Sequence, residues 1–212
     1  MKKLFGTDGI RGQANCFPIT PEIALQVGKA TARIFEARGK GEQKAIVGKD
    51  TRLSGYMLES ALTSGLVSMG MDVLEVGPMP TPAVALLTVS MGAACGIMLT
   101  ASHNPADDNG IKIFGHDGFK LPDAMEDQIA REVLGGEITS EHIRSSQIGK
   151  AYRIDDARGR YIEYTKSTIK YRSLRGLKIV LDCANGAAYH IAPLIFRELG
   201  AEVIAVANSP DG

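Results

Sequence analysis

Between Pro21 and Leu134 the chain changes periodicity again and again. Short apolar runs of four to six residues alternate with longer stretches whose apolar residues recur every three or four positions. The runs read as buried strands and the stretches as amphipathic helices. Pro21 to Arg38 is a helix, with Thr20 as its N-cap, Pro21 at the first helical position, and Ile23, Val27, Ala30 and Ile34 as one apolar stripe. Gly39 ends it. Ala45 to Lys49 is a strand. Ser54 to Met69 is a helix whose inner face holds Leu58, Leu62, Gly65, Leu66 and Met69, with Gly70 as its stop. Asp72 to Val76, Ala94 to Leu99 and Ile111 to Phe114 are further strands. Thr81 to Ser90 and Asp123 to Leu134 are further helices. Strands that alternate with helices specify an α/β sandwich.

The polar stretch from Gly135 to Lys150 has little pattern and marks a domain boundary, dividing the chain into residues 1–150 and 151–212. Beyond it, Asp155 to Lys170 reads as a connecting helix. Lys178 to Leu181, Ala188 to Leu199 and Glu202 to Ala207 read as one βαβ unit. A lone unit of this size cannot cover both faces of its sheet, so the expectation is that further strands belong with it and that the chain is an N-terminal piece. A small appendage packed on the first domain is the alternative.

Net charge is zero over 212 residues. No basic field exists to gather nucleic acid or anionic lipid. The apolar runs near Ala83 to Leu87 and Ile97 to Leu99 are too short to span a bilayer. No apolar stretch follows Met1-Lys2-Lys3, so no secretory signal is expected. Cys16, Cys95 and Cys183 are odd in number and outside any metal-binding spacing, which suggests reduced core thiols in a cytoplasmic protein.

The chemistry concentrates in Thr100-Ala-Ser-His-Asn-Pro-Ala-Asp-Asp-Asn-Gly110, directly after a buried strand. Ligands of open α/β sheets bind past the carboxyl ends of strands, so Ser102 and His103 are candidates by topology. Asn104, Pro105 and Gly110 shape loops with exposed backbone N–H groups, which can cradle a phosphate. Lys112 alternates with Ile111 and Ile113 and so leaves their face. It either meets an anion in the crevice or lies in water at a sheet edge. Phe5-Gly-Thr-Asp-Gly-Ile-Arg-Gly12 and Gly48-Lys-Asp-Thr-Arg-Leu-Ser-Gly55 each wrap glycines around an arginine. Arg11 and Arg52 could fork onto phosphate or pair with Asp8 and Asp50. The reading favours a functional Arg11 and a structural Arg52. No Gly-x-Ser-x-Gly elbow surrounds Ser102, no Walker A sequence is present, and Gly39-Lys-Gly41 follows a helix rather than a strand.

Three motifs, Phe5 to Gly12, Thr100 to Pro105 and Asn109-Gly-Ile-Lys112, together resemble the α-D-phosphohexomutase superfamily, and Asp182-Cys-Ala-Asn-Gly-Ala187 resembles the start of that family's second domain. Within the superfamily the pattern looks more like the branch acting on glucosamine phosphates than the phosphomannomutases. The resemblance implies a three-layer α/β/α sandwich with a mixed sheet, plus the start of a second similar α/β domain. It implies an isomerase that converts glucosamine 6-phosphate to glucosamine 1-phosphate, with Ser102 as the phosphoserine. Lys112 and Arg11 would assist, and His103 would shape the loop. It also implies Mg²⁺, bound here only by the phosphate on Ser102, and a sugar bisphosphate activator. The family's Asp-Gly-Asp-x-Asp-Arg metal loop, its sugar-recognition loop and its C-terminal phosphate-binding domain are not in this sequence. Other expectations are a small sugar phosphate as partner, no nucleic acid or membrane, and a homodimer through the first domain. Glucose- or mannose-phosphate mutase activity and a non-catalytic phosphate-binding module are the competing readings.

Overall fold

The computed structural model describes residues 4–36 and 43–211. The expected helix end at Arg38 and Gly39, the Gly39-Lys-Gly41 segment and Met1-Lys2-Lys3 lie outside the described residues. A six-stranded mixed sheet runs in the order β1-β5-β4-β2-β3-β6. Its strands are β1 (Ile10–Gln13), β2 (Lys44–Lys49), β3 (Asp72–Pro78), β4 (Cys95–Leu99), β5 (Asp108–Gly115) and β6 (Ala151–Arg153). β3 and β4 flank β2 in parallel and β6 continues in parallel beyond β3, whereas β5 is antiparallel to both β4 and β1.

Helices α1 (Pro21–Glu36), α2 (Ser54–Ser68) and α4 (Asp123–Gly135) cover one face of this sheet, and α3 (Thr81–Ser90) covers part of the other. Alternation along the strands separates the two cores. Val47, Ile97, Leu99, Ile111 and Ile113 turn towards α1 and α2, while Ile46 and Met98 turn towards α3. The expected N-cap is present: the Ile23 amide donates to Thr20 Oγ1 at 3.3 Å. Leu58, Leu62, Gly65 and Leu66 are buried, as the spacing requires. Gly48 and Gly96 let α3 lie close on β2 and β4. A Cβ at Gly48 would stand 2.5 Å from a Val84 methyl, and one at Gly96 would stand 2.1 Å from Thr88 Oγ1.

Helix α5 (Ala157–Thr168) packs on α3, and β7 (Lys178–Asp182), α6 (Ile191–Glu198) and β8 (Glu202–Val206) follow. β7 and β8 pair in parallel as a separate two-stranded sheet. Two strands have no counterpart in the sequence reading. β1 was legible only as a glycine-rich motif, because its four residues include Arg11, Gly12 and Gln13. β6 is three exposed residues that gain strand form only by bonding to β3. The cysteines need correction. Cys95 is buried, and burial pushes its thiol up to about 12. Cys16, however, is exposed in the turn after β1, and Cys183 is half-buried. Core placement therefore holds for Cys95 alone, because a turn residue has no second layer above it.

Candidate active site

The parallel strands β2 and β4 end side by side, with Lys49 opposite Leu99. Their following loops therefore meet, and the Asp50 amide donates to the Leu99 carbonyl at 3.0 Å. Ser102 and His103 are both exposed on the second of these loops. Ser102 adopts φ +61°, a left-handed conformation uncommon for a residue with a Cβ. Such strain persists only where surrounding contacts over-determine it, and here they do. The Ser102 amide donates to Thr100 Oγ1 at 3.0 Å, and the Thr100 hydroxyl donates to Asp50 Oδ2 at 2.7 Å. Asp50 also accepts from Arg52, through its amide at 3.1 Å and its Nε at 2.9 Å. The remaining guanidinium N–H groups reach four loop carbonyls, those of Ser102, Asn104, Pro105 and Asp108.

The loop closes on itself through Asn104, whose side-chain Nδ2 donates to Asp108 Oδ2 at 2.9 Å. Buried Asn109 donates to Ser54 Oγ at 2.8 Å and so ties the start of β5 to the start of α2. At Gly110 the backbone is approached from both sides: a Cβ there would stand 2.6 Å from the Thr100 carbonyl and 2.7 Å from that of Ile10. His103 Nδ1 stands 3.5 Å from Ser102 Oγ, long for a hydrogen bond.

Ser102, His103, Asn104 and Ala106 line a cleft of about 510 Å³ whose opposite wall includes Asn185, Gly186 and Ala187. Thr51 bridges the walls, its hydroxyl donating to the Asn185 carbonyl at 2.7 Å. Arg11 and Asp8 line a different depression, beside Phe5, Phe17 and Pro18. Lys112 lies on β5, between β1 and β4, so it is not an edge lysine. It sits opposite Met98 in the register, on the face away from Ile111 and Ile113. Met98 is itself part of the cleft lining. The Lys112 ammonium pairs with Asp8 at 2.8 Å, and Arg11 pairs with the same carboxylate. The Lys112 hydrogen bond is the main cause holding the Asp8 carboxyl below the usual aspartate range. Partial burial opposes it, and Arg11 adds to it.

Both arginines thus form the aspartate pairs their motifs allowed, but Arg52 does far more than pair. Sequence reasoning treated it as structural without seeing that it organises the Ser102 loop. The signal was the composition Gly48 to Gly55 next to a strand end, which identifies a loop but not its partner. Among the described residues no three His, Cys, Asp or Glu side chains converge as a metal set, so the described side chains do not fit Mg²⁺ as a complete oxygen cage.

Residues 2–139 match the family model described as phosphoglucomutase/phosphomannomutase, alpha/beta/alpha domain I. Phosphoglucosamine mutases are similar along the entire chain. That of Geotalea daltonii is 58% identical over 213 residues, covering 100% of this chain and 47% of the relative. That of Cereibacter sphaeroides is 58% identical over 212 residues, with the same coverage. The chain spans about half the length of the curated relatives it matches. Among solved structures, a phosphoglucomutase/phosphomannomutase family protein of Burkholderia thailandensis superposes with a TM-score of 0.81 at 28% identity, over 99% of this chain and 44% of that one. A Paramecium phosphoglucomutase, pp63/parafusin in its open form, shares the fold with a TM-score of 0.72 at 19% identity, over 99% of this chain and 44% of that one.

Proposed function

The chain belongs to the phosphoglucomutase/phosphomannomutase family through its α/β/α domain I, and from that premise we propose that it carries the phosphoserine of a mutase interconverting glucosamine 6-phosphate and glucosamine 1-phosphate. The observation that carries the proposal is Ser102 itself: exposed, left-handed, and held at the mouth of a cleft past the carboxyl end of β4. The choice of glucosamine rests on the curated relatives that match along the whole chain.

In the proposed reaction a sugar hydroxyl oxygen attacks the phosphorus held on Ser102. The phosphorus–Oγ bond breaks, the hydroxyl proton leaves the sugar, and Oγ regains a proton. The bisphosphate then turns over, and its other phosphoryl group returns to Oγ, releasing the isomer. The protein's part is positioning and charge stabilisation, since a loose phosphoryl transition state leaves little else to do. Lys112 and Arg11 would supply positive charge, and His103 would shape the loop. Both cations pair with the single carboxylate of Asp8, which leaves a net positive charge on the group. Mg²⁺ and a sugar bisphosphate activator belong to the proposal as family expectations. So do a division of the chain near residue 150, a cytoplasmic location and a homodimer through the first domain. Among the described residues no helix is long and apolar enough to cross a membrane.

The complete protein, incubated with a hexose 1,6-bisphosphate, tests the reading. Intact mass and peptide mapping should find one stable phosphate, on Ser102. Product analysis should find glucosamine phosphates interconverted faster than glucose or mannose phosphates, and Ser102→Ala should remove turnover. Phosphate found mainly on Ser54 or Ser90 would overturn it.

A further inference from the structure

A guanidinium has five N–H donors, and in Arg52 all five are engaged. Nε donates to Asp50, one terminal nitrogen to the carbonyls of Pro105 and Asp108, and the other to those of Ser102 and Asn104. No donor is left for a phosphate, although Arg52 borders the cleft. The arrangement therefore has an indirect consequence for anything bound there. In a trans peptide the C=O of one residue and the N–H of the next point to opposite sides. Drawing the Ser102 carbonyl onto Arg52 turns the His103 N–H away from the guanidinium. Drawing in the Pro105 carbonyl does the same for the Ala106 N–H. His103 and Ala106 both line the cleft. Four acceptors of the loop are thus gathered on one cation while the His103 and Ala106 N–H groups are directed away from it, which is the polarity an anion requires.

We infer that Arg52 is a positioning residue: it holds Ser102 in its left-handed conformation and sets the polarity of the loop without touching the phosphoryl group. The inference rests on the proposed phosphoryl transfer for its functional meaning, but the clamp itself is a property of the fold. The Arg52–Asp50–Thr100–Ser102 chain of hydrogen bonds closes the arrangement, because Asp50 receives both the Arg52 Nε and the Thr100 hydroxyl. Lysine keeps the charge but has three donors on one nitrogen, so it cannot span a carboxylate and four carbonyls.

The test uses Arg52→Lys in the complete protein. Amide exchange should accelerate roughly tenfold or more in residues 100–108 while β2, β4 and β5 keep their protection. Turnover should fall about 100-fold in kcat, the scale of a small misplacement of reacting groups, with KM changed less than about twofold. Wild-type kcat, or a raised KM at unchanged kcat, would overturn the inference, the second because it would mean that Arg52 binds substrate. A variant that fails to fold does not remove the test. In the wild type, nitrogen-15 NMR of the Arg52 side chain should give separate, slowly exchanging signals for its terminal N–H groups, and motionally averaged signals would refute the clamp. If the wild type turned over no sugar phosphate, the mutase reading would fail while the exchange and NMR results still decided the role of Arg52.

Discussion

Asp8 holds two cations with one carboxylate, and half of its side chain is open to solvent. Its folded pKa is held below the ordinary value of 3.8, first by the Lys112 hydrogen bond. A depressed carboxylate contributes stability that is fully present above the unfolded value and drains away as pH falls through the folded one. Because the Asp8 carboxylate is half open to solvent, screening limits the contribution to about 1 kcal/mol. Asp8→Asn should therefore lower stability slightly at neutral pH, by an amount that stays level down to the ordinary aspartate range and shrinks below it. Urea denaturation of both proteins at several pH values measures this. A difference that grows in acid would contradict the assignment.

Helices α1 and α2 approach closely enough for their backbones to touch. A Cβ at Gly65 would stand 2.1 Å from the Leu25 carbonyl oxygen, and one at Gly28 would stand 2.4 Å from that of Leu62. Two effects oppose each other in Gly65→Ala. Helix propensity favours alanine by about 1 kcal/mol, whereas forcing atoms into a filled interface costs about 1–3 kcal/mol. The obstacle is backbone, which cannot rotate aside, so overpacking should win and the melting temperature should fall. A stabilised variant would mean that the helices separate at little cost. Lys29 secures the same layer from the other side: its buried ammonium donates to the carbonyls of Ile138, Thr139 and Glu141 at 3.2, 3.1 and 2.8 Å. The polar stretch after α4 is thereby fastened to α1.

Over the whole molecule, cover is unequal. In the six-stranded sheet β2 and β4 are almost wholly buried. In β7 and β8 half-buried residues alternate with exposed ones, and Val180, Ile204 and Val206 stand in solvent. Backbone hydrogen bonds with apolar cover on one side open more readily. In this chain, amides of β7 and β8 should exchange well before those of β2 and β4, as hydrogen-exchange mass spectrometry would detect. Equal protection would mean that the two sheets unfold as one unit.

What the sequence determined by itself follows from local periodicity and from glycine chemistry. The α/β class, the helices α1 to α4, the apolar faces of α1 and α2, and the Ser102 loop were all legible, because each depends on residues near one another in the chain. β1 and β6 were not, since a strand of three or four residues without an apolar alternation exists only through its neighbour's hydrogen bonds. Tertiary structure alone decided the partners of the charged residues. The sequence offered Arg52 a nearby Asp50, yet its main partners are carbonyls of residues 102–108, brought to it because β2 and β4 end side by side. Tertiary structure likewise joined Lys112 to Asp8, across more than a hundred residues. Backbone carbonyls carry no sequence signature, so a side chain that organises them is visible only once the chain has folded.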